Sequence, residues 1–346
     1  MANNGKALNI LAIRFSAIGD VAMTVPVVDS FLRQYPQHHL TFLSNPRFEP
    51  FFQGMPSNFT FLGADVKREY HGNAGLSRLI KELSAHDFDL VLDLHGVLRS
   101  ERIGLGLVLR GVRVRKIHKH RIARKALTRR HMKRRKPLES AFERYSNVFY
   151  AAGLPVNVDF TSIFHQAPQG VLALTGPKQG GRWVGVAPFA AHQGKVYPLH
   201  LMDRVVAGLQ SDDSISRIFV FAYGKEKEQV AGWPEIYNKV EFTSGRFTFS
   251  QELELMYWLD VMLAMDSANM HLASLAGTRV VSVWGATHPV AGFLGYGQNE
   301  SDCIQLDMTC RPCSIYGKKA CLYGDCRCMT GISPAMILHK LQIRQK

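Results

Sequence analysis

The 346-residue chain has no run approaching the ~20 uninterrupted apolar residues that a membrane-spanning helix needs. Its first apolar stretch, 7–13, is short, ends at Arg14 and carries no small-residue cleavage site, so it reads as a buried strand and not a signal peptide. Both absences predict a cytoplasmic protein. Cysteine is scarce, six in all, too few in a chain of this size for a disulfide scaffold and enough for thiols or metal ligands. No short-period repeat is present, and without a G-x-G-x-x-G spacing there is no dinucleotide fingerprint. Acidic residues are missing from one segment above all. Between Arg110 and Lys136 stand fourteen Lys and Arg and no Asp or Glu. The formal net charge is +14, so this segment carries the entire excess, and the remaining 28 basic residues match the 28 acidic ones. That is a localised anion-binding face. No aromatic residue interrupts it, which argues against stacking recognition of nucleic acid.

What is present is alternation. Apolar runs at 8–15, 39–45 and 88–96 predict strands, and segments 21–36 and 75–87 carry apolar residues at helical spacing. The scheme repeats with strands at 182–188, 217–223, 261–266 and 279–285 and helices at 199–211, 251–260 and 269–277. Strands alternating with helices predict parallel βαβ units. The length exceeds one hydrophobic core, so the expectation is α/β with two Rossmann-like domains facing a central cleft. The boundaries are 1–165 for the N-terminal domain, 166–181 for a Pro/Gly/Gln-rich linker and 182–331 for the C-terminal domain with a cysteine-rich tail at 303–328. A closing helix, 332–346, starts with Ser333 as cap and Pro334 at its first position, and is expected to pack back on the first domain.

Ligands of open parallel sheets sit beyond the carboxyl ends of the strands. Three polar segments occupy such positions. Ser16-Ala-Ile-Gly19-Asp20 follows the first strand, where Gly19 permits a tight path and Asp20 stands at or beside a helix N-cap. Taken alone, Asp20 is a cap that suits the positive end of the helix dipole. The loop 187–198 offers Lys195, and Asp266-Ser267-Ala268-Asn269-Met270-His271 leaves a strand and opens a helix whose free backbone N–H groups suit a pyrophosphate. In the tail, Cys310-x-x-Cys313 with Cys321 and Cys326 makes a zinc site a candidate, and a packed thiol cluster is the equal alternative.

Order and spacing together resemble glycosyltransferase family 9, the ADP-heptose:lipopolysaccharide heptosyltransferases. The carriers are "ILAIRFSAIGDVAMTVPVV", "LVLDLHGVLRS" and "AMDSANMHLASLAGTRVVSVWGATHP". The resemblance implies a GT-B fold and inverting, metal-independent sugar transfer from an ADP-sugar, with no cofactor required. It implies Asp20 as general base, with Ser16, Gly19 and His95 on the acceptor side. Lys195 would neutralise the ADP leaving group with backbone donors of Ser267, Ala268 and Asn269, beside Asp266 and His271, and Glu226 would match a nucleoside contact. Ala190-Ala191 replaces small hydroxylated residues, "DSA" stands for "DTG", and His288 stands where an aspartate is usual. The implied acceptor is the phosphorylated, carboxylated inner core of lipopolysaccharide on lipid A, at the cytoplasmic face of the inner membrane. The resemblance places segment 110–136 in the acceptor domain, as its contact with that surface. The alternatives are a transferase for another nucleotide sugar and a non-catalytic binder of anionic glycolipid or nucleic acid.

Overall fold

The computed structural model describes residues 6–133 and 136–342. Arg134 and Arg135 of the basic segment, and 343–346 of the expected closing helix, lie outside the described residues. The chain divides into two compact units, the first comprising 1–120 and 139–163, the second 121–138 and 164–346.

The first unit is built on β1 (Asn9–Ile13), β2 (His39–Ser44), β3 (Phe59–Gly63), β4 (Leu90–Asp93) and β5 (Arg113–Lys116). They form a parallel sheet in the order β3-β2-β1-β4-β5. All four residues of β4, and all but the first of β1, are buried, as expected of central strands covered on both faces. β3 and β5 escape the sequence pattern because they are edges: a half-covered strand needs no continuous apolar run, and β5 reads Arg-Val-Arg-Lys. The helix expected over 21–36 is two, Ile18–Ala22 and Val25–Gln34. Pro26, which lacks an N–H to continue the first helix, sits in the opening turn of the second. Helix Ala141–Ala151 starts at Ser140, whose hydroxyl accepts the Glu143 N–H at 3.1 Å while Glu143 accepts the Ser140 N–H at 2.6 Å.

The second unit holds β6 (Arg182–Ala187), β7 (Ile215–Val220), β8 (Val240–Phe242), β9 (Val261–Met265), β10 (Val280–Val283) and β11 (Cys303–Ile304). Its parallel order is β11-β10-β9-β6-β7-β8. The closing helix, Pro334–Gln342, expected with the first domain, clusters with this unit. Ile337 and Leu341 are buried in the second unit's core, each worth roughly 1.5–3 kcal/mol. Leu338 packs directly over Gly208 of helix Leu199–Gln210, where a Cβ would find no room. Arg182 and Arg279 donate to the carbonyls of Leu341 and Lys340 at the helix end, at 2.7 and 3.1 Å.

The basic segment is likewise divided. Residues up to His120 cluster with the first unit, but 121–138 cluster with the second, against the expectation that the whole segment belongs to the first domain. Specific anchors explain this. Arg124 lies over the rings of Phe293 and Tyr316 and donates to the Tyr316 hydroxyl at 2.7 Å. Lys133 Nζ donates to the carbonyls of Thr309, Cys310 and Pro312, and the Leu138 N–H to that of Val290. Among the described residues no helix is long and apolar enough to cross a membrane.

Candidate active site

In each sheet the strand order reverses once, between β1 and β4 in the first unit and between β6 and β9 in the second. Loops leaving two such neighbouring strands run in opposite directions and open a crevice, the usual ligand position of a parallel sheet. The residues singled out from the sequence follow these four strands in most cases.

In the first unit, buried Arg14 immediately follows β1. Its Nε donates to the Ser16 carbonyl at 2.8 Å, its Nη1 to the Leu94 carbonyl at 2.6 Å, and its Nη2 meets Asp20 Oδ2 at 2.7 Å. One guanidinium therefore ties the loop after β1 to the loop after β4 and fixes the Asp20 carboxylate. Asp20 is not itself the N-cap. Ala17 holds that place, Asp20 is the third helical residue, and its Oδ2 accepts the Ala17 N–H at 3.3 Å. Tyr145 donates to the Asp20 carbonyl at 3.1 Å, and Gly19 is buried beneath this turn.

His95 stands just beyond β4. Its Nδ1 accepts the Phe15 N–H at 3.4 Å, which leaves the proton of a neutral ring on Nε2. Burial first, and then the charges of Arg14 and Lys119, push its pKa down to about 3, with Asp20 opposing. It is a neutral imidazole at physiological pH. Asp93, buried at the end of β4, accepts the N–H groups of His95 and Gly96 at 2.9 and 2.8 Å and the Ser100 hydroxyl at 3.0 Å.

In the second unit, Lys195 lies in the loop after β6 and Asp266 at the end of β9, and they pair at 3.0 Å across the reversal. Lys195 runs past Gly317, where φ is +76° and a Cβ would stand 2.6 Å from the lysine Cγ. Ser267 is the N-cap residue of helix Ala268–Leu275, so the first N–H groups, from Ala268 and Asn269 onward, have no partner within the helix. His271 is buried one turn in. The hydroxyls of Ser267 and of Thr287, beyond β10, are buried and find no hydrogen-bond partner among the described residues. His288, standing where an aspartate is usual, turns inward on its own loop: its Nδ1 accepts the Val290 N–H at 3.1 Å and caps the turn Pro289–Ala291. Ala190 packs against the second core.

Glu226 is not at the reversal. It lies beyond β7 in the short helix Lys225–Glu228, half-buried, and burial raises its pKa. Nearby, Tyr223 donates to buried Glu252 at 2.7 Å. Burial pushes both the tyrosine and the carboxyl up.

The zinc site is not assembled: among the described residues no group of three or more His, Cys, Asp or Glu is placed to hold a metal ion. All six cysteines are free. Buried Arg311 organises the loop instead, donating to the carbonyls of Gly285, Leu306 and Thr287 and to the Gln305 side chain, while the Cys313 N–H donates to the Ala286 carbonyl. This loop buttresses the strand end that carries Thr287.

Sequence reasoning missed Arg14, Asp93, Tyr145, Tyr223, Glu252 and Arg311. Three had a visible signal: Arg14 and Asp93 each end an apolar strand, and Glu252 occupies a core-facing helix position beside Leu253, Leu255 and Met256. Tyr145, Tyr223 and Arg311 gave none.

Two Rossmann-like α/β units are the architecture of GT-B glycosyltransferases. Residues 76–323 match glycosyltransferase family 9 (heptosyltransferase), and the chain belongs to that family. Solved structures of similar fold include a family 9 glycosyltransferase from Veillonella parvula, 17% identical, with 99% of this chain and 98% of that one covered and a TM-score of 0.74. The ADP-heptose lipopolysaccharide heptosyltransferase II of E. coli is 18% identical, with 96% and 97% covered and a TM-score of 0.69. Likeness at these identities is one of fold. Lipooligosaccharide heptosyltransferase 2 of Campylobacter jejuni is 23% identical over 132 residues, 36% of this chain, and the match spans 40% of that relative's length.

Proposed function

We propose that this protein transfers a heptose from ADP-heptose to the inner core of lipopolysaccharide, with inversion at the anomeric carbon. The observation that carries the reading is that each sheet places a salt bridge at its own strand-order reversal, a carboxylate paired with Arg14 in one and an amine paired with Asp266 in the other. Membership of family 9 supports the reaction class. The E. coli heptosyltransferase of similar fold, an ADP-heptose enzyme, supplies the donor by analogy.

Asp20 takes the proton from the acceptor hydroxyl as its oxygen attacks the anomeric carbon. The bond from that carbon to the diphosphate oxygen breaks on the opposite face, and ADP leaves with the bonding electrons. Lys195 Nζ meets the growing phosphate charge, with N–H groups of Ser267–Asn269 and the hydroxyls of Ser267 and Thr287 as further donors. Asp266 holds the lysine in place before the donor arrives. His271 donates towards the same phosphates, and Glu226 contacts the nucleoside. Arg14 orients the base, and His95 and Ser16 face the acceptor as neutral hydrogen-bonding groups. The acceptor carries phosphates and carboxylates on a membrane lipid, and segment 110–136 supplies positive charge for that surface at the cytoplasmic face of the inner membrane.

The test is a thermal-stabilisation series with ADP-, UDP- and GDP-linked sugars, followed by ADP release in the presence of a Kdo–lipid A acceptor. Selective stabilisation by ADP-sugars with acceptor-dependent ADP release is expected. Stabilisation by another nucleotide class, or by none, contradicts the reading.

A further inference from the structure

Helix Leu98–Val108, which follows β4 in the first unit, is apolar on both its faces. Its inner face is apolar, as it should be: Ile103 and Leu107 are buried in the first unit's core, with Gly104 buried between them. The outer face is apolar as well. Leu98 and Leu105, with Leu109 just past the helix end, are 85%, 62% and 81% exposed. At 100° per residue their side chains fall within about 40° of one another, one stripe along the outward face. Val108, also exposed, widens it. An outward stripe of large aliphatic residues marks an interaction site, because solvent-facing helix positions are ordinarily polar.

The surroundings of the stripe name its partner. Arg99 at one end is exposed. At the other end Arg110 follows the stripe directly and is exposed. The nearest acid on the helix, Glu101, is already engaged by Lys116 at 3.5 Å. Arg102 lies on the same face, between Leu98 and Leu105, and is held by Ser77 and Asn73 of helix Gly72–Leu83. Apolar residues on the outward face with arginines at and beside them match an anionic bilayer: the aliphatic groups enter the acyl boundary while the cations meet phosphate headgroups.

We propose that the Leu98–Leu105–Leu109 stripe is the element that seats the first unit on an anionic phospholipid surface, with Arg99, Arg102 and Arg110 as its electrostatic half. The proposal deepens the reading of the acceptor as a membrane lipid and rests on it for its biological sense, but its physical test is separate. The basic residues alone give a salt-sensitive attraction; the leucines give a foothold that salt does not screen.

The experiment is co-sedimentation of the full chain with vesicles of phosphatidylglycerol and phosphatidylcholine in equal parts, and with phosphatidylcholine alone. The variants are Leu105→Gln/Leu109→Gln and the apolar control Leu105→Met/Leu109→Met. Gln and Met are both good helix formers, so the helix persists, and equal melting temperature and ADP affinity verify it. The wild type and the Met variant should sediment with the anionic vesicles only, and the Gln variant should bind them more than about tenfold more weakly. Three results overturn the proposal: undiminished vesicle binding by the Gln variant, equal binding of the wild type to both vesicle types, or a Gln variant that turns a dimer into a monomer with vesicle binding unaltered, which makes the stripe a contact between copies. Failure of ADP to bind any form sinks the proposed function and leaves the vesicle result standing.

Discussion

The two units solve the same problem with opposite charge. At the first reversal the buried member of the pair is the cation, Arg14, at 9% side-chain exposure, and the carboxylate Asp20 is the outward member at 32%. At the second the buried member is the carboxylate, Asp266, at 6%, and the amine Lys195 is the more exposed at 16%. An inner counter-ion tied to backbone or neighbouring strand holds an outer group in a fixed place, so each unit presents one charge of known sign at its strand ends. A carboxylate suits proton removal from an acceptor, and an amine suits a departing diphosphate. On the proposed function, acid–base work therefore falls to the first unit and leaving-group work to the second.

Substitutions that spare the fold break this symmetry most directly. Asp20→Asn keeps the size and the Arg14 contact but cannot take a proton, and kcat should fall by about 10²–10⁴-fold with donor KM nearly unchanged in a steady-state transfer assay. Lys195→Met should lower kcat/KM for the donor by about 10²–10³-fold, the scale of losing one pre-placed charge donor.

Removing an inner counter-ion costs stability as well. Arg14→Met leaves the carbonyls of Ser16 and Leu94 without their donor and Asp20 without this guanidinium, and urea unfolding should register a loss of about 3 kcal/mol. Gly317→Ala, at a positive φ and against the Lys195 stem, should cost about 1–2 kcal/mol and weaken ADP binding, read together by denaturation and calorimetry.

His95 gives an effect visible only in acid. Its pKa is about 3 in the fold against an ordinary value of 6.5, so below pH 6.5 the unfolded chain binds a proton that the folded one refuses. The stability present above pH 6.5 is lost as pH falls towards 3. His95→Gln should flatten that part of the stability–pH curve, measured by denaturant midpoints from pH 7 to 4, with no change above 7.

Strand ends were the legible part of the sequence, since parallel strands buried on both faces read as apolar runs and their first polar residues mark the crevice. Asp20, Lys195 and Asp266 were found that way. β3, β5, β8 and β11 were not, because edge or very short strands need no such run. Arg14 was within view, but its task depends on Leu94, eighty residues on, and no local pattern encodes a contact of that span. The closing helix was expected on the first unit; the fit of Leu338 against Gly208 and the arginine contacts at its end hold it on the second. The cysteine spacing left a metal site and a packed thiol cluster as equal alternatives; among the described residues no metal-holding group forms, and Arg311, lying inside the motif at Cys310-Arg311-Pro312-Cys313, organises the loop through carbonyls.

The division of labour is tested most directly by calorimetric titration of ADP into the wild type, Asp20→Asn and Lys195→Met side by side. The account predicts wild-type affinity for Asp20→Asn and at least about tenfold weaker binding for Lys195→Met, the scale of a single charge-assisted hydrogen bond. Loss of ADP binding in Asp20→Asn, with Lys195→Met unaffected, would contradict it.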